Sequence, residues 1–288
     1  MKLSKTIALL LSCTLLLLTA GCGASPNPAP SAAPEATSTP AVTATPEPTA
    51  TPEPTPTATP EPMFTNPLTG EQTYTDYSQT RPVAIMVENN NWDDGTLIAQ
   101  GGLSQADIVY EMQVESITRN MFLFMDTDGL NNVFPIRSAR SYFVSAALSY
   151  DAIFAHCGKS GEGLEFADTM LVNYTDADDI EVHEGSCGFR QYDAPYFGAV
   201  HSMTTTGERL QDLFAQYGTR TTHRTDGYDY GLHFTEDAAP VNGEAAGSIH
   251  IVFPTNKITD FSYDAEKGGY TSTQWNSAYA DGNTGESV

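Results

Sequence analysis

A proline-rich segment near the start of the chain sets the first limit on the fold. Residues 23–62 contain twelve of the eighteen prolines and no aromatic residue. Proline favours an extended backbone, and a segment without large apolar side chains cannot bury a core. At about 3.1 Å per residue, such a segment reaches at most roughly 120 Å. We therefore expect residues 22–62 to be a disordered, semi-stiff linker and the folded body to begin near Met63.

The residues before this linker have the pattern of a bacterial export signal. Two lysines precede an apolar run, residues 7–18, which is too short to span a bilayer comfortably as a helix. The run ends in Leu18-Thr19-Ala20-Gly21-Cys22, which resembles the lipobox of bacterial lipoproteins. This resemblance implies a signal peptide over residues 1–21 and a diacylglycerol on the sulfur of Cys22. The alternative is an ordinary secretory signal in which Cys22 has no role.

The remaining residues, 63–288, have a globular composition and a strongly acidic charge. Without the two lysines of the signal, the mature chain, residues 22–288, has 11 basic and 36 acidic residues, a net charge of −25. The basic residues are scattered, whereas a nucleic-acid partner requires a basic surface, so none is expected. No second apolar stretch is long enough to span a membrane. The expected location is the extracytoplasmic face of the cell membrane, with the lipid on Cys22 as the anchor.

Periodic patterns predict a mixed α/β body followed by a strand-rich tail. Continuous apolar runs indicate buried strands, and alternating apolar and polar residues indicate strands with one buried face. Serine or threonine before a helical pattern indicates a helix start, here Ser138 for the first helix. The predicted strands are residues 82–87, 107–115, 117–125, 152–157, 231–234, 248–253 and 259–263, and the predicted helices are residues 138–150 and 205–217.

The same patterns divide the body into two domains. Residues 63–226 are predicted to form an α/β domain, a mixed sheet with helices, and residues 227–288 a smaller β-rich domain. Residues 275–288 are polar and turn-like and contain no predicted closing strand. We therefore expect the β-rich domain to be incomplete within this chain.

Two cysteines, Cys157 and Cys187, remain in the body. A disulfide is permitted outside the cell, but a domain of this size does not require one, so their pairing stays open. With His156 and His183 the thiols would supply four zinc ligands, but the paired Cys-x-x-Cys spacing of structural zinc sites is missing. The sequence therefore predicts no metal site, and no pattern indicates a cofactor.

Several ordered sequence blocks in the body are distinctive. They are Asn66-Pro67-Leu68-Thr69-Gly70, Arg81-Pro82-Val83-Ala84-Ile85-Met86, Ser104-Gln105-Ala106-Asp107-Ile108-Val109-Tyr110-Glu111, Pro135-Ile136-Arg137-Ser138-Ala139-Arg140 and Tyr150-Asp151-Ala152-Ile153-Phe154-Ala155-His156. Together they resemble the YerB-like family of bacterial lipoproteins, a family with a domain of unknown function. The resemblance implies an N-terminal α/β domain, a smaller β-rich C-terminal domain and a lipid anchor, but no reaction. This chain departs from the family pattern at Ser116, where the family has two glycines, and at Ser202, where it has asparagine.

Five side chains are the candidates for a ligand cleft: Glu111, Arg137, Arg140, His156 and His201. The first lies on the polar face of its predicted strand, the two arginines lie at a helix start, and His156 ends the next strand. Strand ends and helix starts collect ligands in open α/β sheets, because loops converge there and helix amides point outward. We therefore expect these groups to line one polar cleft. One alternative is that the arginines only form ion pairs around a helix start. The other is that His156 is a buried histidine whose ring nitrogens already have hydrogen-bond partners.

Two functions from different classes fit these observations. The first is a binding or scaffold protein of the cell envelope, whose partner is a cell-wall ligand or an envelope protein. The second is a cell-envelope hydrolase that uses the same five side chains. For glycoside hydrolysis, Glu111 and Glu115 on one strand would lie about 13 Å apart, whereas catalytic carboxylates lie roughly 5 to 9.5 Å apart. Binding is favoured, because the sequence contains no recognisable complete catalytic set.

The lipid attachment site gives the first testable prediction. Cys22→Ala removes the thiol that accepts the lipid, so the protein should be released from the membrane fraction into the medium. Metabolic labelling with a radioactive fatty acid measures this directly. Label on the variant at the level of the parent protein would disprove the assignment.

Overall fold

The structure, a computed structural model, describes residues 63–92, 95–159, 179–191, 201–235, 243–254 and 256–288. The predicted signal peptide, Cys22 and the linker lie outside these residues. All described residues belong to one compact unit, Ala58–Val288, and the division at residue 226 stays a prediction. No helix in the described ranges is long and apolar enough to cross a membrane.

A five-stranded sheet forms the centre of the described fold. Its strands are β3 (Val83–Asn89), β4 (Ile108–Val114), β5 (Ile117–Phe124), β6 (Ile153–His156) and β7 (Asp179–Glu181), in the order β4-β5-β3-β6-β7. The first three are antiparallel neighbours, whereas β6 and β7 run parallel to β3. Every residue of β3 is buried, which explains its continuous apolar run, because a strand covered on both faces has no polar face. The predicted hairpin of residues 107–125 is confirmed.

Two hydrophobic cores cover the two faces of this sheet. Successive residues of a strand point to opposite faces of the sheet, so Val87 belongs to one core and Met86 to the other. The first core also contains Leu210 and Phe214 of helix α2 (Gly207–Tyr217). The second contains residues of helix α1 (Ser141–Ser149). An odd or even position along a strand therefore decides which of the two cores a side chain enters.

A second sheet lies in the last part of the chain. Its strands, β10 (Ser248–Val252), β11 (Ile258–Asp264), β12 (Gly269–Gln274) and β13 (Ser277–Ala278), pair in chain order and are antiparallel. The prediction that residues 275–288 contain no further strand was wrong. Trp275 and Asn276 both have positive φ angles, 48° and 63°, as a type I′ hairpin turn requires, so the chain reverses there without a glycine.

Two small two-stranded sheets complete the strands of the described residues. They are β1 (Phe64–Thr65) with β2 (Gln72–Thr73) and β8 (Phe189–Arg190) with β9 (Met203–Thr204). Residues 231–234 form no strand, contrary to the prediction. The described part of the chain is mostly sheet, so the predicted α/β class fits only loosely.

The first helix begins later than the sequence predicted. Arg140 precedes its first turn, and no side chain caps it. The prediction that Ser138 is the N-cap was wrong, because residues 136–139 form an extended segment between the ends of β3 and β6. The Arg137 amide donates to the Met86 carbonyl (3.0 Å), and the Cys157 amide donates to the Arg137 carbonyl (3.0 Å). This segment places Arg137, and Arg140 directly after it, at the end of the sheet.

Candidate functional site

A buried carboxylate at the end of β3 lies at the centre of the candidate site. Five apolar residues of β3 are followed by Glu88 and Asn89, and strand alternation turns these two to opposite faces of the sheet. The Glu88 side chain is only 1% exposed. Sequence reasoning missed Glu88, although a charged residue that directly continues a buried apolar run was a usable signal.

The side chains of Arg137 and His201 approach the Glu88 carboxylate. Arg137 Nε lies 2.8 Å from Glu88 Oε2, and His201 Nδ1 lies 3.2 Å from the same oxygen. Both are electrostatic contacts without good hydrogen-bond angles. Burial by itself would raise the pKa of Glu88, but His201 and Arg137, with a contribution from Arg119, outweigh burial and lower it. Glu88 is therefore ionised inside the protein, and the structure brings two of the five predicted residues together on it.

Two more arginines lie beside this ion pair. Arg119 is the cross-strand partner of Glu88 in the β3–β5 register, and its Nη1 donates to the Ser138 carbonyl oxygen (3.1 Å). Arg140 Nη1 donates to the same oxygen (3.3 Å). Arg140 also binds both carboxylate oxygens of Glu115, through Nε (2.7 Å) and Nη2 (2.9 Å). We call Arg119, Arg137, Arg140, His201, Glu88 and Glu115 the arginine cluster.

Arg119 differs from the other two arginines, because its charge is buried without an ion-pair partner among the described residues. The residue is 4% exposed, and its Nε has no hydrogen-bond partner in the described part of the chain. Burial lowers its pKa to about 10; Glu88 opposes this shift, and Arg137 and Arg140 add to it. A buried guanidinium with an unused donor is costly. An anion would supply the missing acceptor.

His156 lies beside the arginine cluster, but its ring is fully engaged. Nε2 lies 2.5 Å from Asp179 Oδ1, and Nδ1 lies 2.9 Å from the Gly158 carbonyl oxygen. That carbonyl also accepts from the Ala139 amide (2.9 Å), and Lys159 contacts Asp179 as well. The ring is wholly buried. His156 therefore joins β6, β7 and the segment of residues 136–139, and it leaves no ring nitrogen for a ligand.

Glu111 lies on the opposite face of the sheet from the arginine cluster. It is the cross-strand partner of Asn120, and strand alternation turns Asn120 away from the face of Arg119. Two residues bind its carboxylate: Thr259 of β11, whose Oγ1 donates to Oε2 (3.1 Å), and Lys257, which directly precedes β11 and forms an ion pair with Oε1. The structure therefore does not bring Glu111 into one cleft with the predicted arginines.

The two cysteines of the body are free thiols, which answers the question that the sequence left open. Burial raises the pKa of the Cys157 thiol and of the Cys187 thiol. No group of three or more histidine, cysteine or acidic side chains that could hold a metal ion occurs within the described ranges.

The buried position of Glu88 gives the second prediction. Glu88→Gln removes the negative charge that Arg137 and His201 face, so the free energy of unfolding at pH 7 should fall by about 2 kcal/mol. Because the pKa of Glu88 is lowered from its ordinary 4.5, its contribution is full above that value and is lost as the pH falls through the lower folded value. Urea unfolding should therefore show a smaller difference from the parent protein at pH 3 than at pH 7.

Glu115→Gln is the matched control for this measurement. It makes the same chemical change in the same cluster, but the Glu115 side chain is 59% exposed. An exposed ion pair contributes at most about 1 kcal/mol, so this variant should stay near the parent protein. Equal losses in the two variants would contradict the special role of the buried carboxylate.

Comparisons with known proteins identify relatives of this chain. A family model described as protein of unknown function (DUF3048), N-terminal domain, matches residues 68–220. YerB of Bacillus subtilis (strain 168), whose name describes it as a candidate lipoprotein, is 30% identical over 226 residues, and the alignment covers 77% of this chain and 63% of YerB. The chain thus spans less than two thirds of the curated relative that it matches.

A solved structure supports the same relationship. The crystal structure of the YerB protein from Bacillus subtilis matches with a TM-score of 0.62 and 27% sequence identity, over 78% of this chain and 72% of that chain. The resemblance that the sequence blocks indicated is therefore confirmed. Since the family model covers more than half of the residues, the chain belongs to the DUF3048 family, whose function is unknown.

Proposed function

We propose that this protein is a lipid-anchored, extracytoplasmic binding protein whose arginine cluster holds an anionic group of a cell-wall ligand. The pattern of residues 1–22 supports the anchor, and so does the lipoprotein name of the relative. The observation that carries the ligand class is Arg119, a buried guanidinium whose Nε lacks an acceptor among the described residues.

The charge of the arginine cluster supports an anion as the ligand. Three arginines stand against two carboxylates, those of Glu88 and Glu115, in a mature chain with a net charge of −25. Guanidinium groups bind carboxylate and phosphate through paired, charge-assisted hydrogen bonds. A local positive surface on an acidic protein also attracts an anion selectively, because the rest of the surface repels it.

An anion can approach this cluster from solvent. The Arg137 and Arg140 side chains keep 20% and 12% of their surfaces exposed. Arg119 already interacts electrostatically with both of them, since their charges contribute to its lowered pKa. An anion held by Arg137 and Arg140, which are partly exposed, would therefore also compensate the buried charge of Arg119.

The ionisable side chains of the described residues support a binding function better than a hydrolase. Glycoside hydrolysis requires a carboxylic acid with a raised pKa, whereas the pKa of Glu88 is lowered and Glu111 is paired with Lys257. A cysteine nucleophile requires a lowered pKa, whereas burial raises the pKa of Cys157.

Replacing Arg119 gives the third prediction. Arg119→Met keeps an unbranched, flexible side chain, although a shorter one, and removes the buried charge, so the free energy of unfolding should stay equal or rise. Affinity for an anion should fall at least about tenfold, because a charge-assisted bond is lost. Isothermal titration with soluble muropeptides, which carry carboxylates, and with inorganic phosphate measures the affinity. Arg137 is a poorer test position, because its removal leaves Glu88 without its counter-charge.

Arg209→Met is the matched control, since Arg209 lies on α2 over the Phe189 ring and outside the arginine cluster. It should leave the affinity unchanged. Binding of muropeptide alone would assign a carboxylate ligand, and binding of phosphate alone would assign a phosphate ligand. Failure of the parent protein to bind either probe, or equal affinity in parent and Arg119→Met, would contradict the proposal.

A further inference from the structure

A cavity of about 460 Å³ lies between the central sheet and the second sheet, on the face opposite to the arginine cluster. The register of β10, β11 and β12 places Ile249, Phe261 and Ser272 in one row and Ile251, Thr259 and Gln274 in the next. Both rows line the cavity, and Val109 of the edge strand β4 forms the opposite wall. The walls are therefore largely apolar.

The deep end of the cavity is a connected polar network. The Tyr279 hydroxyl donates to Gln100 Oε1 (2.7 Å) and accepts from Asn120 Nδ2 (2.6 Å). Gln274 also contacts this hydroxyl. Because a hydroxyl has a single proton, which Gln100 already receives, Gln274 must present its amide nitrogen to Tyr279.

Gln274 therefore turns its carbonyl oxygen away from this network. The residue is 2% exposed and lines the cavity, and its Oε1 has no hydrogen-bond partner in the described part of the chain. A buried acceptor without a donor costs free energy that a bound donor would recover. This unpaired oxygen is a second observation, separate from the apolar walls, and it indicates a ligand that donates a hydrogen bond.

The charges around the cavity exclude an ionic ligand. Glu111, the acidic side chain of the lining, is already paired with Lys257. A second ion in this apolar space would be desolvated without a counter-ion, which is costly. At roughly 30 Å³ per water-sized group, the cavity accommodates about fifteen non-hydrogen atoms, within the size range of small-molecule sites.

We propose that this cavity binds a neutral small molecule with an elongated apolar body and one hydrogen-bond donor, a hydroxyl or an N–H group, which is held by Gln274 Oε1. Ile249, Ile251 and Tyr270 form the partly exposed rim through which it enters. The site lies on the other face of the sheet from the arginine cluster, and it does not depend on the anion proposal.

The test uses N-phenyl-1-naphthylamine, a neutral apolar probe with one N–H donor whose fluorescence rises in apolar surroundings. The exported protein with Cys22→Ala avoids the attached lipid as a competing apolar phase. We expect saturable binding at one site per chain. Ile251→Asp places a charge on the cavity wall and should weaken binding at least about tenfold. Absence of saturable binding by the parent protein would overturn the proposal.

Val252→Asp is the matched control, because it makes the same kind of change one residue further along β10. Val252 points to the other face of the strand and is 57% exposed, so this variant should bind the probe like the parent protein. Equal effects of the two variants would overturn the site. So would a parent protein that sediments as a dimer and becomes a monomer with Ile251→Asp, since the wall would then contact a second copy.

The donor requirement is tested by competition. 1-Dodecanol and dodecyl methyl ether share an apolar chain, but only the alcohol donates a hydrogen bond. The alcohol should displace the probe at a concentration lower by about fivefold or more, because only it satisfies the buried oxygen. Gln274→Met should remove this preference while it keeps the apolar wall. Equal displacement by the two compounds from the parent protein would refute the role of Gln274.

Discussion

A carboxylate buried at the end of the central strand is the constraint on which the site depends. An ion without water around it is stable only when opposite charges approach it, and an unpaired buried charge costs several kcal/mol. Glu88 meets this demand with Arg137 and His201, which come from distant parts of the sequence. The carboxylate therefore holds the segment of residues 136–139 and the residues near β9 at one end of the sheet, and it fixes the positions of the cluster's cations.

The next residue of β3 organises the opposite face. Asn89 Nδ2 donates to Asn120 Oδ1 (2.9 Å) and to Glu111 Oε1 (3.1 Å), and Glu111 in turn binds Thr259 of the second sheet and Lys257 directly before it. Two adjacent residues thus support a charged cluster on one side and a sheet-to-sheet contact on the other. Because strand alternation separates them, a single strand end supports the two proposed sites, which differ in chemistry: the anion site and the neutral apolar cavity.

Local patterns predicted the parts of the fold that depend on local chemistry. The apolar run of β3, the hairpin of β4 and β5, and the helix α2 are of this kind. The site depends on long-range pairing, which a single sequence does not contain. Periodicity indicated that Glu111 lies on the polar face of β4, but it could not show that the arginines occupy the other face. Likewise, the importance of Glu88 appears only when Arg137 and His201 are folded against it.

The central claim is that Glu88 and Arg137 stabilise each other inside the protein, and a double-mutant cycle tests it most directly. Glu88→Gln, Arg137→Met and the double variant would be compared by urea unfolding at pH 7, with stability taken as the free energy of unfolding. If the pair forms, the double variant should lose less stability than the sum of the single losses, by about 1 to 3 kcal/mol. Losses that add to within about 0.3 kcal/mol would contradict the account, because they would show that the two charges do not interact.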